Sequence, residues 1–225
     1  MPPDSPQALL HAAQPLLAAA FTLWGSPVTW VEVVAFVLSL AMVAANMRVH
    51  PVAWPLAIVA SALYALVFAG SKLYGEAALQ LFFIVVALWG WWQWLRGHGD
   101  DGASLRVHRL SRRGAGAALA GTLIAWPLAG LLLARTTDSD VPMLDALATV
   151  GSVCGQLLLG RKVLENWLVW LAVNVFSVGL FALKGLWLTA LLYVLFAALS
   201  VAGWRAWRRH LLSAGARPVP IGPPL

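Results

Sequence analysis

Trp167, Trp170 and Asn174 stand at i, i+3 and i+7, a spacing that places all three on one face of a helix over about 10 Å. Two indoles so placed can hold a flat ring, neutral or cationic, by stacking and cation–π attraction. A buried amide beside them can read hydroxyls or a carboxamide. This is the chemistry of recognising a nucleoside-like molecule rather than of making bonds. Trp167 fits a second role equally well, that of a belt residue at a membrane interface, and spacing alone leaves both open.

Other polar side chains repeat at helical intervals. Asp145, Thr149, Ser152 and Gln156 lie four, three and four apart, and Glu32, Ser39 and Asn46 lie seven apart. Polar groups at membrane depth need partners and tend to face a bundle interior or a wet cavity. The plainer reading is that the hydroxyls bond back to their own helices while the acids sit at the outer interface. Gln80, Phe83, Ala87, Trp91 and Trp94 share one helical face, and Tyr193, Phe196, Ser200, Trp204 and Trp207 share another. Gln80 and Tyr193 fall deep enough to touch a ligand or gate its path, whereas Trp91, Trp94, Trp204 and Trp207 read as cytoplasmic belt anchors. The candidate substrate-binding set is therefore Trp167, Trp170, Asn174, Gln80, Phe83, Tyr193, Gln156, Ser152 and Ser39. Gly179 and Gly185 read as positions that permit close helix packing.

Catalysis finds little material. No Walker A motif, Gly-rich dinucleotide loop or HExxH occurs, and His11, His50, His98, His108 and His210 are scattered over termini and loops. Cys154 is the single cysteine, lying in an apolar stretch, so neither an internal disulfide framework nor a Cys-based metal cluster is expected. No catalytic residue, metal or cofactor is expected. A membrane-embedded enzyme would have to rely on Asp145 and Glu32, and a non-transporting subunit is the other alternative.

The elements that must position these residues follow from composition. Of the 225 residues 61% are hydrophobic and 11% charged, against roughly half and a quarter in soluble domains. Thirteen Trp suit a protein with long interfacial perimeters. The net charge of +6 could suggest nucleic acid, but the arginines cluster beside apolar runs, which fits membrane topology instead, with no nucleic acid partner. Seven stretches reach the length that a bilayer core requires of a helix. They run over Val28 to Met47, Val52 to Gly70, Gly75 to Leu95, Gly114 to Ala134, Val141 to Gly160, Leu164 to Leu183 and Leu186 to Trp207. Residues 1–27, with no basic signal-peptide start, read as a tail or an interfacial helix over Leu9 to Trp24. Residues 96–113 form the one sizeable polar loop, 135–140 an outer loop, and 210–225 a tail.

Twelve of the fifteen Lys and Arg fall on one side of this arrangement, leaving Lys72, Arg135 and Lys184 on the other. The positive-inside rule then predicts an outside N-terminus and a cytoplasmic C-terminus. Shifting the sequence by 113 residues brings Glu32 onto Asp145, Ser39 onto Ser152, Arg48 onto Arg161, Trp54 onto Trp167, Gly90 onto Gly203, and Trp91 and Trp94 onto Trp204 and Trp207, without a gap. The expected fold is thus all-α, two parallel three-helix repeats, 28–95 and 141–209, joined by a linking helix, 114–134. Such repeats are a transporter architecture, with substrate near the bilayer midplane. Trp54 has no partner three residues on, because Ala57 takes the place of Trp170; only the second copy carries the paired aromatics.

Trp54-Pro55 through Leu63-Tyr64, Lys72 through Gln80, Gly90-Trp91-Trp92-Gln93-Trp94, and Glu165-Asn166-Trp167-Leu168-Val169-Trp170 with Asn174 and Lys184-Gly185 resemble the PnuC family of vitamin transporters over roughly Trp30 to Arg209. The resemblance implies a bacterial inner-membrane protein with a three-one-three, full-length SWEET-like arrangement, forming a homotrimer. It implies facilitated diffusion of nicotinamide riboside, trapped by a cytoplasmic kinase, with thiamine or riboflavin carried by relatives. By that likeness Trp167, Trp170 and Asn174 contact substrate, with Gln80 and its neighbours assisting. Gly75-Glu76 after Tyr74 departs from the pattern, which has an Asp nearby.

Overall fold

The computed structural model describes residues 18–23, 26–70, 74–99, 102–137, 141–183 and 187–215. Lys72, Lys184, Gly185 and Arg217 lie outside them. Among the described residues there are seven α-helices: α1 (Trp30–Met47), α2 (Ala53–Gly70), α3 (Tyr74–Arg96), α4 (Arg112–Thr136), α5 (Pro142–Gly160), α6 (Asn166–Leu183) and α7 (Trp187–Gly215). Each coincides with one expected span to within a few residues at the ends, except that α7 continues eight residues beyond Trp207. Four stretches are long and apolar enough to cross a membrane, namely Trp30–Met47, Arg112–Thr136, Pro142–Gly160 and Ala190–Ser213. The outward side chains of α4, among them Leu119, Leu123, Ile124, Leu128 and Leu132, are exposed, an apolar exterior that suits hydrocarbon and not water.

The N-terminal segment departs from expectation. Where residues 9–24 read as an interfacial helix or loose tail, Ala19–Leu23 is strand β1, paired antiparallel with β2 (Ser26–Thr29). Phe21, Thr22, Val28 and Thr29 are β-favouring types, and Pro27 cannot continue a helix, so a short hairpin wins over helix here. β2 runs directly into α1 through a capping box. Thr29 Oγ1 accepts from the Glu32 backbone N–H at 3.3 Å, and the Glu32 carboxylate accepts from the Thr29 backbone N–H at 2.6 Å and from the Thr29 hydroxyl at 2.9 Å. Two orphan helix-start donors are thereby satisfied, and Glu32 is committed to the helix start.

The chain divides into two compact units. One takes the hairpin, α1 as far as Ala45, α2, and α3 up to Trp89; the other takes Asn46–His50 and everything from Gly90. In the second unit α4 begins at Ser111, whose hydroxyl accepts the Gly114 N–H. It packs along α5, where Trp126 donates its indole N–H to the Met143 carbonyl at 2.7 Å and Gly130 leaves room for the Met143 thioether. α5 ends in a Schellman motif: Lys162 N–H bonds to Leu159 O and Val163 N–H to Leu158 O, with Lys162 at φ 55°. At the end of α1, Val49 likewise has φ 55° and its N–H bonds to Asn46 O at 3.0 Å. Val49 and Lys162 are the only non-glycine residues at positive φ among the described residues, and their numbers differ by 113.

Residues 105–110 of the polar loop after α3 are tied to the turn between α5 and α6. His108 N–H bonds to Lys162 O and Leu164 N–H to His108 O, a parallel bridge beside Val163. Glu165 accepts the Leu110 N–H at 2.7 Å, and Lys162 Nζ donates to Leu105 O at 3.0 Å. The segment is pinned across the α5–α6 turn.

Candidate substrate site

α6 carries no charged residue, and neither does α5 between Asp145 and Arg161 or α7 before Arg205. Whatever binds among these helices meets aromatic rings, amides and hydroxyls. Trp167 is buried, 4% exposed, so its ring packs against neighbouring helices instead of facing outward as a belt residue would. Its neighbour is α7: the ring meets Trp207 edge-on at 5.7 Å and 86°. It also lies so close to Gly203 that a Cβ there would overlap it. Glycine at 203 is thus what lets an indole cross the α6–α7 seam.

Trp170, one turn on, faces a different helix. Its indole lies 3.1–3.3 Å from where a Cβ on Gly155 of α5 would sit, and Gly151 is similarly crowded by Val173. The two indoles expected to sandwich a ring therefore diverge, Trp167 toward α7 and Trp170 toward α5, and half-buried Trp170 is the one with surface to offer. Gln156 and Ser152 sit on α5 beside that contact, both half-buried. Ser152 donates to Ala148 O at 2.8 Å and Thr149 to Asp145 O at 3.0 Å, and Ser39 of the first unit donates to Ala35 O at 2.9 Å. The plainer reading of the stripe holds for these hydroxyls, which keep only lone pairs for a ligand. The Gln156 side chain makes no hydrogen bond among the described residues.

Asn174, 6% exposed, donates from Nδ2 to Ser200 Oγ at 3.2 Å, and Ser200 donates to Phe196 O at 2.8 Å. The amide so aimed keeps its second N–H and its carbonyl. Tyr193 meets Phe196 edge-on at 6.1 Å, so Tyr193, Phe196 and Ser200 line one face of α7 as spacing predicted. Gln80 and Phe83 of α3 belong, with Ser39, to the first unit; both are half-buried, and Phe83 lies 6.2 Å from Phe82.

Two expectations change. Trp94 and Trp207 are not belt anchors: they are 6% and 0% exposed, and their indole N–H groups bond to Leu159 O and Asn46 O at 3.1 and 2.7 Å. Their rings also meet, at 6.1 Å and 49°. Among the described residues Gly179 serves no close packing, since an added Cβ would meet no atom within 4 Å, whereas Gly155 and Gly203 do. The ammonium of Lys162 sits 5.0 Å over the Trp94 ring, and burial pushes its pKa below the ordinary 10.5. Glu165 and Lys162 were not singled out as contacts; their place in the turn after a Schellman end is the signal for it.

Apolar helices of membrane-spanning length define a multi-pass membrane protein. A profile of the nicotinamide mononucleotide transporter family matches residues 29–209. The chain belongs to that family. It is 32% identical over 197 residues to the riboflavin/roseoflavin transporter RibM of Streptomyces davaonensis, covering 85% of this chain and 91% of that one. It is 24% identical over 217 residues to the nicotinamide riboside transporter PnuC of Escherichia coli, covering 86% and 91%. Its fold matches the crystal structure of the vitamin B3 transporter PnuC with a TM-score of 0.66 and 25% identity, over 82% of this chain and 83% of that one.

Proposed function

We propose that this chain imports nicotinamide riboside across a bacterial inner membrane by facilitated diffusion, the vitamin being trapped by phosphorylation in the cytoplasm. The observation that carries this reading is the α6 face. Trp170 offers a half-buried ring beside Gly155, and the amides of Asn174 and Gln156 keep hydrogen-bonding capacity on either side of it. A pyridinium ring stacks on an indole, and amides pair with ribose hydroxyls and a carboxamide. The uncharged lining favours a solute that crosses without a coupled ion. Two PnuC relatives named for nicotinamide riboside and vitamin B3 support the same substrate. Riboflavin is the second reading, favoured by the 32% identity to RibM; an isoalloxazine stacks on the same ring.

Two parallel three-helix repeats joined by α4 form the moving parts in this reading, supported by hydrogen bonds that recur 113 residues apart, Ser39 to Ala35 O against Ser152 to Ala148 O. Rocking of one repeat against the other would expose the site alternately. The N-terminus lies outside and the C-terminus in the cytoplasm, and three copies assemble. Binding of nicotinamide riboside, riboflavin and thiamine to the purified chain, followed side by side by quenching of tryptophan fluorescence, tests the substrate. Preference for nicotinamide riboside is expected; preference for riboflavin moves the assignment to the second reading.

A further inference from the structure

The ends of α5 and α1 share the same backbone turn but differ in what lies against them. At the end of α5 residues 105–110 lie across the turn, and their backbone groups occupy Lys162 and Glu165. At the end of α1, α7 continues helical past Trp207 instead. Among the described residues an open cleft of about 480 Å³ remains there, lined by Met47, Arg48, Ala206, Arg209, His210 and Ser213. Residues 206, 209, 210 and 213 recur at three and four, one face of α7, while Met47 and Arg48 come from the end of α1. The indole bond from Trp207 to Asn46 O fixes the two elements together immediately beside it.

We propose that this cleft is a binding site for a phosphate group, carried by the headgroup of an anionic lipid or by a soluble phosphate monoester. Arg48, Arg209 and His210, exposed residues from two elements, line it, and among the described residues none of the three has an ion pair. Gathering like charges around one concavity is unfavourable unless an anion answers them. The carbonyl end of α1 offsets part of the charge of Arg48, but Arg209 and His210 stand more than a turn before the end of α7 at Gly215 and gain nothing from it. Guanidinium forks match phosphate oxygens two at a time, and they bind them more strongly than neutral donors do. Ser213 adds no donor, because its hydroxyl already donates to His210 O at 3.0 Å. Met47 and Ala206 supply an apolar floor, which fits a phosphate carried on a carbon chain better than the free ion. The site is independent of the α6 face, so substrate binding and phosphate binding can fail separately.

Native mass spectrometry of the full chain in neutral detergent tests this with three probes: dioctanoyl-phosphatidylglycerol, glycerol 3-phosphate and phosphate-free dioctanoylglycerol. The Arg48→Gln/Arg209→Gln double variant should lose at least about tenfold in affinity for the phosphate probes. Arg205→Gln/Arg208→Gln, which changes exposed arginines of the same helix outside the cleft, should stay near wild type. Retention of phosphatidylglycerol alone assigns the site to a lipid; equal retention of glycerol 3-phosphate assigns it to a soluble monoester. The proposal is overturned if dioctanoylglycerol binds as well as phosphatidylglycerol, if no phosphate probe binds, or if both double variants behave alike.

Discussion

Trp207 donates its indole N–H to the backbone carbonyl of Asn46, 161 residues earlier in the chain, at 2.7 Å. Its counterpart is Trp94, whose indole donates to Leu159 O at 3.1 Å. Residues 94 and 207 differ by 113, as do 46 and 159, so each of the two indoles caps the end of the helix equivalent to the other's. Each of these carbonyls also accepts a backbone N–H, from Val49 and from Lys162, so the indole supplies its second hydrogen bond, a contribution of about 0.5–1.5 kcal/mol.

Replacing either indole by phenylalanine keeps most of the ring but deletes the donor. Trp94→Phe and Trp207→Phe should each destabilise the detergent-solubilised protein by about 0.5–1.5 kcal/mol, seen as a lower thermal midpoint. Because the rings touch at 6.1 Å, the double variant should depart from additivity. Strictly additive, near-zero effects would return both residues to the role of interfacial anchors.

Glycine supplies a second test. Gly203→Ala places a methyl group inside the Trp167 ring and should cost about 1–3 kcal/mol, the usual price of overpacking. Gly179→Ala meets open space and should be neutral or slightly stabilising. Thermal midpoints of the two variants, measured side by side, decide it, and equal losses would contradict the packing described for the α6–α7 seam.

The helices were legible because apolar runs near 20 residues long have one structural outcome in a membrane, and the 113-residue offset survives in Trp, Gly and Arg positions that chance does not align. The burial of Trp94 and Trp207 was not legible from composition: a tryptophan near a helix end looks the same whether it sits in an interface or reaches a carbonyl far along the chain. Applying the same offset to their acceptors, Asn46 and Leu159, would have shown it. The divergence of Trp167 and Trp170 was hidden for a related reason. Shared helical face fixes direction to within an arc, while Gly203 and Gly155 on two other helices decide which neighbour each ring meets. The β1–β2 hairpin was lost because its strands are only five and four residues long.

Val49 carries a testable strain. A β-branched residue at φ 55° is unfavourable by roughly 1–2 kcal/mol, and glycine adopts that conformation without clash. Val49→Gly should raise the thermal midpoint by an amount equivalent to about 1 kcal/mol. Lys162→Gly at the same backbone conformation should not, because it also removes the bond to Leu105 O and the contact with the Trp94 ring. A gain from both substitutions would show that the Lys162 side chain contributes nothing.

In the substrate site, Trp170→Ala should weaken vitamin binding about ten- to a hundredfold, the range of a lost stacking contact. Asn174→Leu should impair binding without unfolding the protein, since Ser200 keeps its bond to Phe196 O. Trp54→Ala, at the position in the first unit equivalent to Trp167, should affect binding much less. Fluorescence titration of the three variants, each first shown to elute as wild type does, gives the ranking; equal losses for Trp54→Ala and Trp170→Ala would place the site in both repeats.

The most direct test of the account is uptake of radiolabelled nicotinamide riboside into proteoliposomes holding only the purified chain. Facilitated diffusion predicts entry until the internal and external concentrations match, at a rate indifferent to imposed proton or sodium gradients, with Trp170→Ala slowed. No uptake, or accumulation above the external concentration that follows an imposed gradient, would contradict it.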